Sequence, residues 1–147
     1  MSKLISGRKA ILPEAETRKE PRPHWSTFAR GARKERGVMN QTETEFFETH
    51  IEPLVLTGDI RYWAYEKWSW TLTEKTPDGK PGIRYTADFV TMARDGFFTA
   101  YEVKGTGIAT TADLNRVKLA AEKIPMPFFV ATKQLKRDGG GFKVERY

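Results

Sequence analysis

Residues 84–105 read RYTADFVTMARDGFFTAYEVKG, and the rest of the chain is organised around this stretch. Two runs rich in β-forming residues, 85–92 and 97–103, flank Ala93-Arg94-Asp95-Gly96, which has the composition of a hairpin turn. A three-residue loop, with Arg94 and Asp95 in a type I turn and Gly96 left-handed, sets Ala93 opposite Phe97 and fixes the ladder. That register places Asp88 directly opposite Glu102. Side chains alternate across a strand, so Lys104 shares the face of Glu102, together with Val90, Met92, Phe98 and Ala100.

Two carboxylates facing each other across a ladder, with Cβ atoms about 5 Å apart, repel unless something positive lies between them. A hard divalent cation meets that need. Mg²⁺ takes oxygen ligands and binds through one or two carboxylates while leaving room for a substrate phosphate; Mn²⁺ is the alternative. Such an ion lowers the pKa of a bound water and neutralises charge growing on phosphate oxygens. Lys104 is then placed to orient or stabilise the nucleophilic water. The competing reading of Glu102 and Lys104 is a surface ion pair worth at most about 1 kcal/mol.

Composition narrows the chemistry further. The chain of 147 residues is about the size of one domain, has no cysteine, and offers only His24 and His50 as imidazole ligands. Thiolate zinc sites, redox motifs and a disulfide scaffold are excluded, and oxygen ligands are favoured over a transition-metal site. No apolar run approaches the roughly 18–20 residues of a membrane span, and the N-terminus lacks the apolar core of a signal peptide, so a soluble cytoplasmic protein is expected. No small-molecule cofactor is called for.

The net charge of +6 is unevenly placed: residues 1–36 hold ten Lys/Arg against four Glu, and residues 37–147 hold fifteen of each sign. The first segment also carries Pro13, Pro21 and Pro23 and reads as a mostly extended basic arm, with a short helix near residues 13–19. Arg8, Lys9, Arg18, Lys19, Arg22, Arg30, Arg33, Lys34 and Arg36 are candidates to track a DNA phosphate backbone, which gives affinity without sequence choice. A solubilising tail is the plainer alternative. Trp25 and Phe28 suit either base stacking or docking onto the domain.

In the domain, residues 37–147, Asn40 is an N-cap, Glu43 follows three residues later, and Gly58 is a stop signal. Phe46, Phe47, Ile51, Leu54 and Val55 form one helical stripe that includes Glu43, whereas Glu45, Glu48 and Glu52 face outward; Pro53 kinks the helix or restarts it. Residues 60–72 read as one aromatic strand whose Trp68 and Trp70 belong to the core, with Lys67 on the opposite face as a phosphate-contact candidate. Residues 73–82 are a turn-rich connection. Beyond Gly105 a polar loop precedes a helix in which Leu114, Val117, Ala121 and Ile124 share a face and Arg116, Lys118 and Lys123 lie off it. Residues 128–132 form a buried strand, parallel to the Glu102 strand by the right-handed crossover rule, and residues 142–147 add a closing strand. The class is α/β with a mixed sheet.

The acidic residue in Thr86-Ala87-Asp88-Phe89, a gap of thirteen residues, and Glu102-Val103-Lys104-Gly105 resemble the signature of the PD-(D/E)XK nuclease superfamily. From about Gly37 onward the chain is similar to its small phage-borne members, relatives of phage junction-resolving endonucleases and transposase endonuclease subunits. One departure is Ala87, where the signature has Pro; that proline ligates no metal, so no chemistry goes with it. The resemblance implies a restriction-endonuclease-like αβββαβ core with a mixed central sheet flanked by helices, and a Mg²⁺-dependent endonuclease in the host cytoplasm if phage-encoded. It implies Asp88 and Glu102 as metal ligands with the Val103 carbonyl, and Glu43 as a third acid, direct or through water. Glu43 as the far half of a capping box is the other reading, and the two are compatible. Lys118 is the candidate for a basic residue that approaches the site from the second long helix.

A small domain with a basic arm and no base-reading element suits branched DNA, recognised by shape and backbone. Cutting both strands of a junction needs two active sites, so a homodimer is expected. The alternatives are a catalytically lapsed DNA-binding protein of the same fold and an interaction protein that engages a phage or host complex.

Overall fold

The computed structural model describes residues 37–107 and 110–147. The arm expected over residues 1–36, with all nine of its phosphate-contact candidates, lies outside the described residues. Asn40 caps the first helix, α1 (Gln41–Phe46), through a reciprocal box: its side chain accepts from the Glu43 amide at 3.0 Å, and the Glu43 carboxylate accepts from the Asn40 amide at 2.9 Å. The chain then widens into a π-helical turn, Phe47–Ile51, and restarts as α2 (Glu52–Leu56) with Pro53 in its first turn.

Proline lacks an amide hydrogen and its ring crowds the carbonyl four residues back; the widened turn ahead of it lets the Glu52 amide bond the Phe47 carbonyl. The same turn shifts the phase of the apolar stripe. Phe46 and Ile51 are buried, but Leu54, expected on their face, is 42% exposed. Glu45, expected to face outward, is half-buried and pairs with Lys133.

β1 (Ile60–Tyr65) does not continue as the single strand expected over residues 60–72. Glu66 takes a left-handed φ of 46°, and extended structure resumes only at β2 (Ser69–Thr71). The run 85–92 breaks at the matching place, into β3 (Arg84–Thr86) and β4 (Phe89–Ala93) on either side of Ala87-Asp88. The two breaks are bonded to each other, Glu66 N to Asp88 O at 2.9 Å and Ala87 N to Trp68 O at 3.3 Å, so the paired chains bend as one unit. Beyond the bend, β2 and β3 form a separate two-stranded ribbon.

β4 returns as β5 (Phe98–Lys104) through the expected turn: Gly96 has φ 88° and the Ala93 amide bonds the Phe97 carbonyl at 2.9 Å. The register is the one that turn dictates, with Phe89 opposite Tyr101 and Met92 opposite Phe98. α3 (Thr111–Lys123) then crosses to β6 (Phe128–Lys133), parallel to β5, and β7 (Phe142–Arg146) closes the edge antiparallel. The result is an α/β architecture around a mixed five-stranded sheet of order β1-β4-β5-β6-β7. No helix among the described residues is long and apolar enough to cross a membrane.

Strand alternation divides the core into two clusters. Val90, Ala100, Phe128 and Val130 pack with Val117 and Ala120 of α3 and with Leu72 and Tyr85 of the ribbon, joined by Trp68 and Trp70. Phe89, Val103 and Ala131 pack instead with Phe46 and Ile51. Each large side chain fully buried here, such as Phe46, Phe89 or Phe128, stabilises the fold by about 1.5–3 kcal/mol. Covering both faces pins the end of β5, where the polar residues gather.

Candidate active site

Asp88 sits at the bend, one residue before β4, and the β4–β5 ladder stops at Phe89 and Tyr101. The Val103 amide donates instead to Asp88 Oδ2 at 2.7 Å. On the neighbouring strand Glu102 is held at both oxygens: Tyr85 Oη donates to Oε2 at 2.9 Å, and Lys104 Nζ lies 2.8 Å from Oε1. Lys104 Nζ also lies 3.8 Å from Asp113 Oδ2 in the first turn of α3, where the Thr110 hydroxyl donates to the same oxygen at 2.8 Å. Glu43 arrives from α1, 4% exposed, with Oε2 accepting from Tyr65 Oη at 2.6 Å and from the Asn40 amide.

These elements converge. Glu43, Asp88, Glu102, Val103 and Lys104 line one cleft of about 440 Å³, with Asn40, Gln41, Thr42 and Gly105 completing its wall. The four side chains singled out in the sequence and the Val103 backbone are therefore brought together.

The electrostatics follow from burial. Loss of water and then the neighbouring Glu102 charge push Asp88 up to about 8, with Glu43 adding to the rise; the Val103 amide and Lys104 oppose it. Burial alone would depress Lys104, but the Glu102 carboxylate, then Asp113 and Asp88, outweigh it and hold the ammonium above its ordinary range. Tyr85 is raised as well, by burial and then by Glu102, so its hydroxyl remains a donor.

The donor set suits a hard cation. It consists of oxygen atoms, and the acid pair is penalised by burial and like charge, a penalty that a cation between them would relieve. Among the described residues, no three His, Cys, Asp or Glu side chains form a ready metal cluster. Asp88 and Glu102 are thus the pair that fits, and Glu43 lines the cleft while engaged by Asn40 and Tyr65.

Lys118 lies elsewhere, its ammonium 5.9 Å from the centre of the Tyr147 ring. The basic residue of α3 that approaches the acids is Arg116, which lines a cavity with Glu102, Asp113, Tyr85 and Arg84. Lys67 is exposed in a groove along the ribbon. Tyr85, Asp113 and Arg116 were not singled out in the sequence as site residues. Thr110 followed three positions later by Asp113 is a capping pattern that could have located Asp113; nothing in the sequence distinguishes Tyr85 from other strand aromatics. Compared with known proteins, the chain matches no family model and no curated sequence.

Proposed function

We propose that this chain is a Mg²⁺-dependent endodeoxyribonuclease of the PD-(D/E)XK type, with a restriction-endonuclease-like core, that hydrolyses phosphodiesters in branched DNA. The observation that carries the reading is the joint fastening of Asp88 and Glu102 in one cleft with Lys104 bonded to Glu102. The succession α1, β1, β4, β5, α3, β6 supports the αβββαβ core.

Asp88 and Glu102 would hold the metal, with the Val103 carbonyl beside them and Glu43 acting on it directly or through water. When bound, the ion supplies an acidified water and positive charge for the phosphate oxygens. Lys104 is cationic at neutral pH, since its neighbours hold the ammonium above its ordinary range, so it acts by charge and hydrogen-bond donation and not as a general base. Its bond to Glu102 aims that charge at the cleft. Tyr85 fixes the Glu102 carboxylate from behind and leaves its other oxygen turned to Lys104. Hydrolysis adds water across a phosphorus–oxygen bond, leaving one strand end with the phosphate and the other with a hydroxyl.

The test is cleavage of a four-way junction and of linear duplex by the full chain, with Mg²⁺ or EDTA. Metal-dependent cutting, faster on the junction and lost in Asp88→Ala and Lys104→Ala, is expected. Cutting that persists in Asp88→Ala sinks the assignment, and equal rates on both DNAs remove the junction preference.

A further inference from the structure

Three cations line hollows that adjoin the cleft. Like Arg61, Lys75, Lys118, Lys123, Lys136 and Arg146, the cations Lys67, Arg84 and Arg116 have no carboxylate within pairing distance among the described residues, and what sets these three apart is the hollows they line. Strand alternation accounts for Arg84. Tyr85 points inward to stack against Trp70, with ring centroids 6.1 Å apart, and to bond Glu102, so Arg84 and Thr86 project from the opposite face of the ribbon. There Thr86 Oγ1 donates to Ser69 Oγ at 3.0 Å, and Arg84 Nη2 reaches the same oxygen at 3.4 Å.

Lys67, Ser69, Arg84 and Thr86 line a groove of about 620 Å³. Arg84 and Thr86 also wall a second hollow of about 260 Å³ that contains Arg116 and ends on Glu102. The two hollows share Arg84 and Thr86, and the second shares Glu102 with the cleft. The acids beside them are engaged: Glu66 accepts from the Gly37 amide at 3.1 Å, Asp113 from Thr110, and Glu102 from Tyr85. Cations outside close ion pairs, interleaved with the Ser69 and Thr86 hydroxyls, suit a polyanionic backbone, not exposed bases.

We infer that this groove carries the phosphate backbone of one DNA strand into the cleft, with Lys67, Arg84 and Arg116 as successive phosphate contacts; the inference rests on the endonuclease reading above. Arg116 contacts the phosphate next to the one being cut, and Lys67 lies farthest out. Ser69 and Thr86 supply hydroxyls between the cations. The ribbon then acts as a guide rail whose affinity is independent of sequence.

The test is fluorescence anisotropy of the full chain on a labelled four-way junction in EDTA, so that nothing is cut, across a range of salt. Each phosphate contact to duplex contributes about 0.9 to the slope of log affinity against log salt. The triple variant Lys67→Ala, Arg84→Ala, Arg116→Ala should therefore flatten the slope by about 2–3. Arg84→Lys with Arg116→Lys, which keeps the charges, should leave it unchanged, and so should Lys123→Ala with Lys136→Ala, off the groove. A triple variant within about 0.5 of wild type, or an equal loss in the off-groove pair, overturns the groove. The wild type is assayed separately with Mg²⁺. Flattening of the slope in a protein that never cuts keeps the groove and removes the endonuclease reading, whereas cutting with no change of slope removes the groove alone.

Discussion

Asp88 Oδ2 accepts the Val103 amide at 2.7 Å, so an acid on one side of the bend is fastened to the backbone between Glu102 and Lys104 on the next strand. The bond takes the place of the next rung of the ladder, which ends at Phe89 and Tyr101. The Asp88 carboxylate is therefore tied to the backbone of the neighbouring strand.

Asp88→Asn separates this structural role from the charge. The amide oxygen can still accept from Val103, while the carboxylate that burial and Glu102 penalise is gone. Thermal unfolding in EDTA at neutral pH should show a midpoint equal to or above wild type, and cleavage should fall by at least about 100-fold. A large drop in the midpoint would make the charge itself structural.

The pH dependence has a definite sign. Folding raises Asp88 from 3.8 to about 8, so the folded state keeps a proton that the unfolded state releases. Without divalent cations, this residue's contribution to stability is fully present below about pH 4, declines as pH rises, and is gone above about pH 8. Urea midpoints across that range should fall in wild type by more than in Asp88→Asn; identical profiles would show that Asp88 titrates normally.

Lys104→Met keeps the side-chain stem and deletes the cation, leaving Glu102, whose side chain is 12% exposed, without its ion pair. The loss of stability should be about 1–3 kcal/mol, between the surface and buried limits, and most of it should return in Lys104→Arg. Cutting should fall by at least about 100-fold in Lys104→Met, read as initial rate at saturating Mg²⁺.

Tyr85→Phe retains the ring against Trp70 and Phe128 but removes the hydroxyl that donates to Glu102. The expected cost in urea unfolding is about 1–3 kcal/mol, since an acceptor in a largely buried site loses its partner. A variant as stable as wild type would mean that water replaces the hydroxyl there.

Glu43→Gln tests whether the first-helix acid does more than cap. A glutamine at this position still completes a capping box and can accept from Tyr65, so unfolding should change by less than about 1 kcal/mol. Cleavage should drop at least about tenfold if its charge serves the metal site. Unchanged cleavage would reduce Glu43 to its helix and its tyrosine.

Asp88 could be set opposite Glu102 from the sequence because Arg94-Asp95-Gly96 suits a three-residue loop with a left-handed glycine, and a loop geometry determines a register. Asn40 and Glu43 were legible for a similar local reason. The bend was not. Residues 85–92 are rich in strand formers apart from Ala87 and Asp88, and what divides them there is also tertiary: Tyr85 must reach Glu102 while Phe89 packs with Phe46 on the other side of the sheet. Leu54 was misplaced because a helical period assumes an unbroken helix, and the π turn before Pro53 shifts the phase. Lys118 and Arg116 are equally polar positions of α3, and only the way the helix lies across β3 brings Arg116 beside the acids.

The exposed turn at Arg94-Asp95-Gly96 lies at the far end of the hairpin from the acids, the kind of place where insertions are ordinarily tolerated. Here the length of the turn sets the register of the hairpin. One added residue that slipped β5 along β4 would exchange the two faces of the strand, turning Tyr101 and Val103 toward Asp113 and sending Glu102 and Lys104 against Phe46. The length of a loop with no chemistry of its own thus decides whether the chain has a site at all.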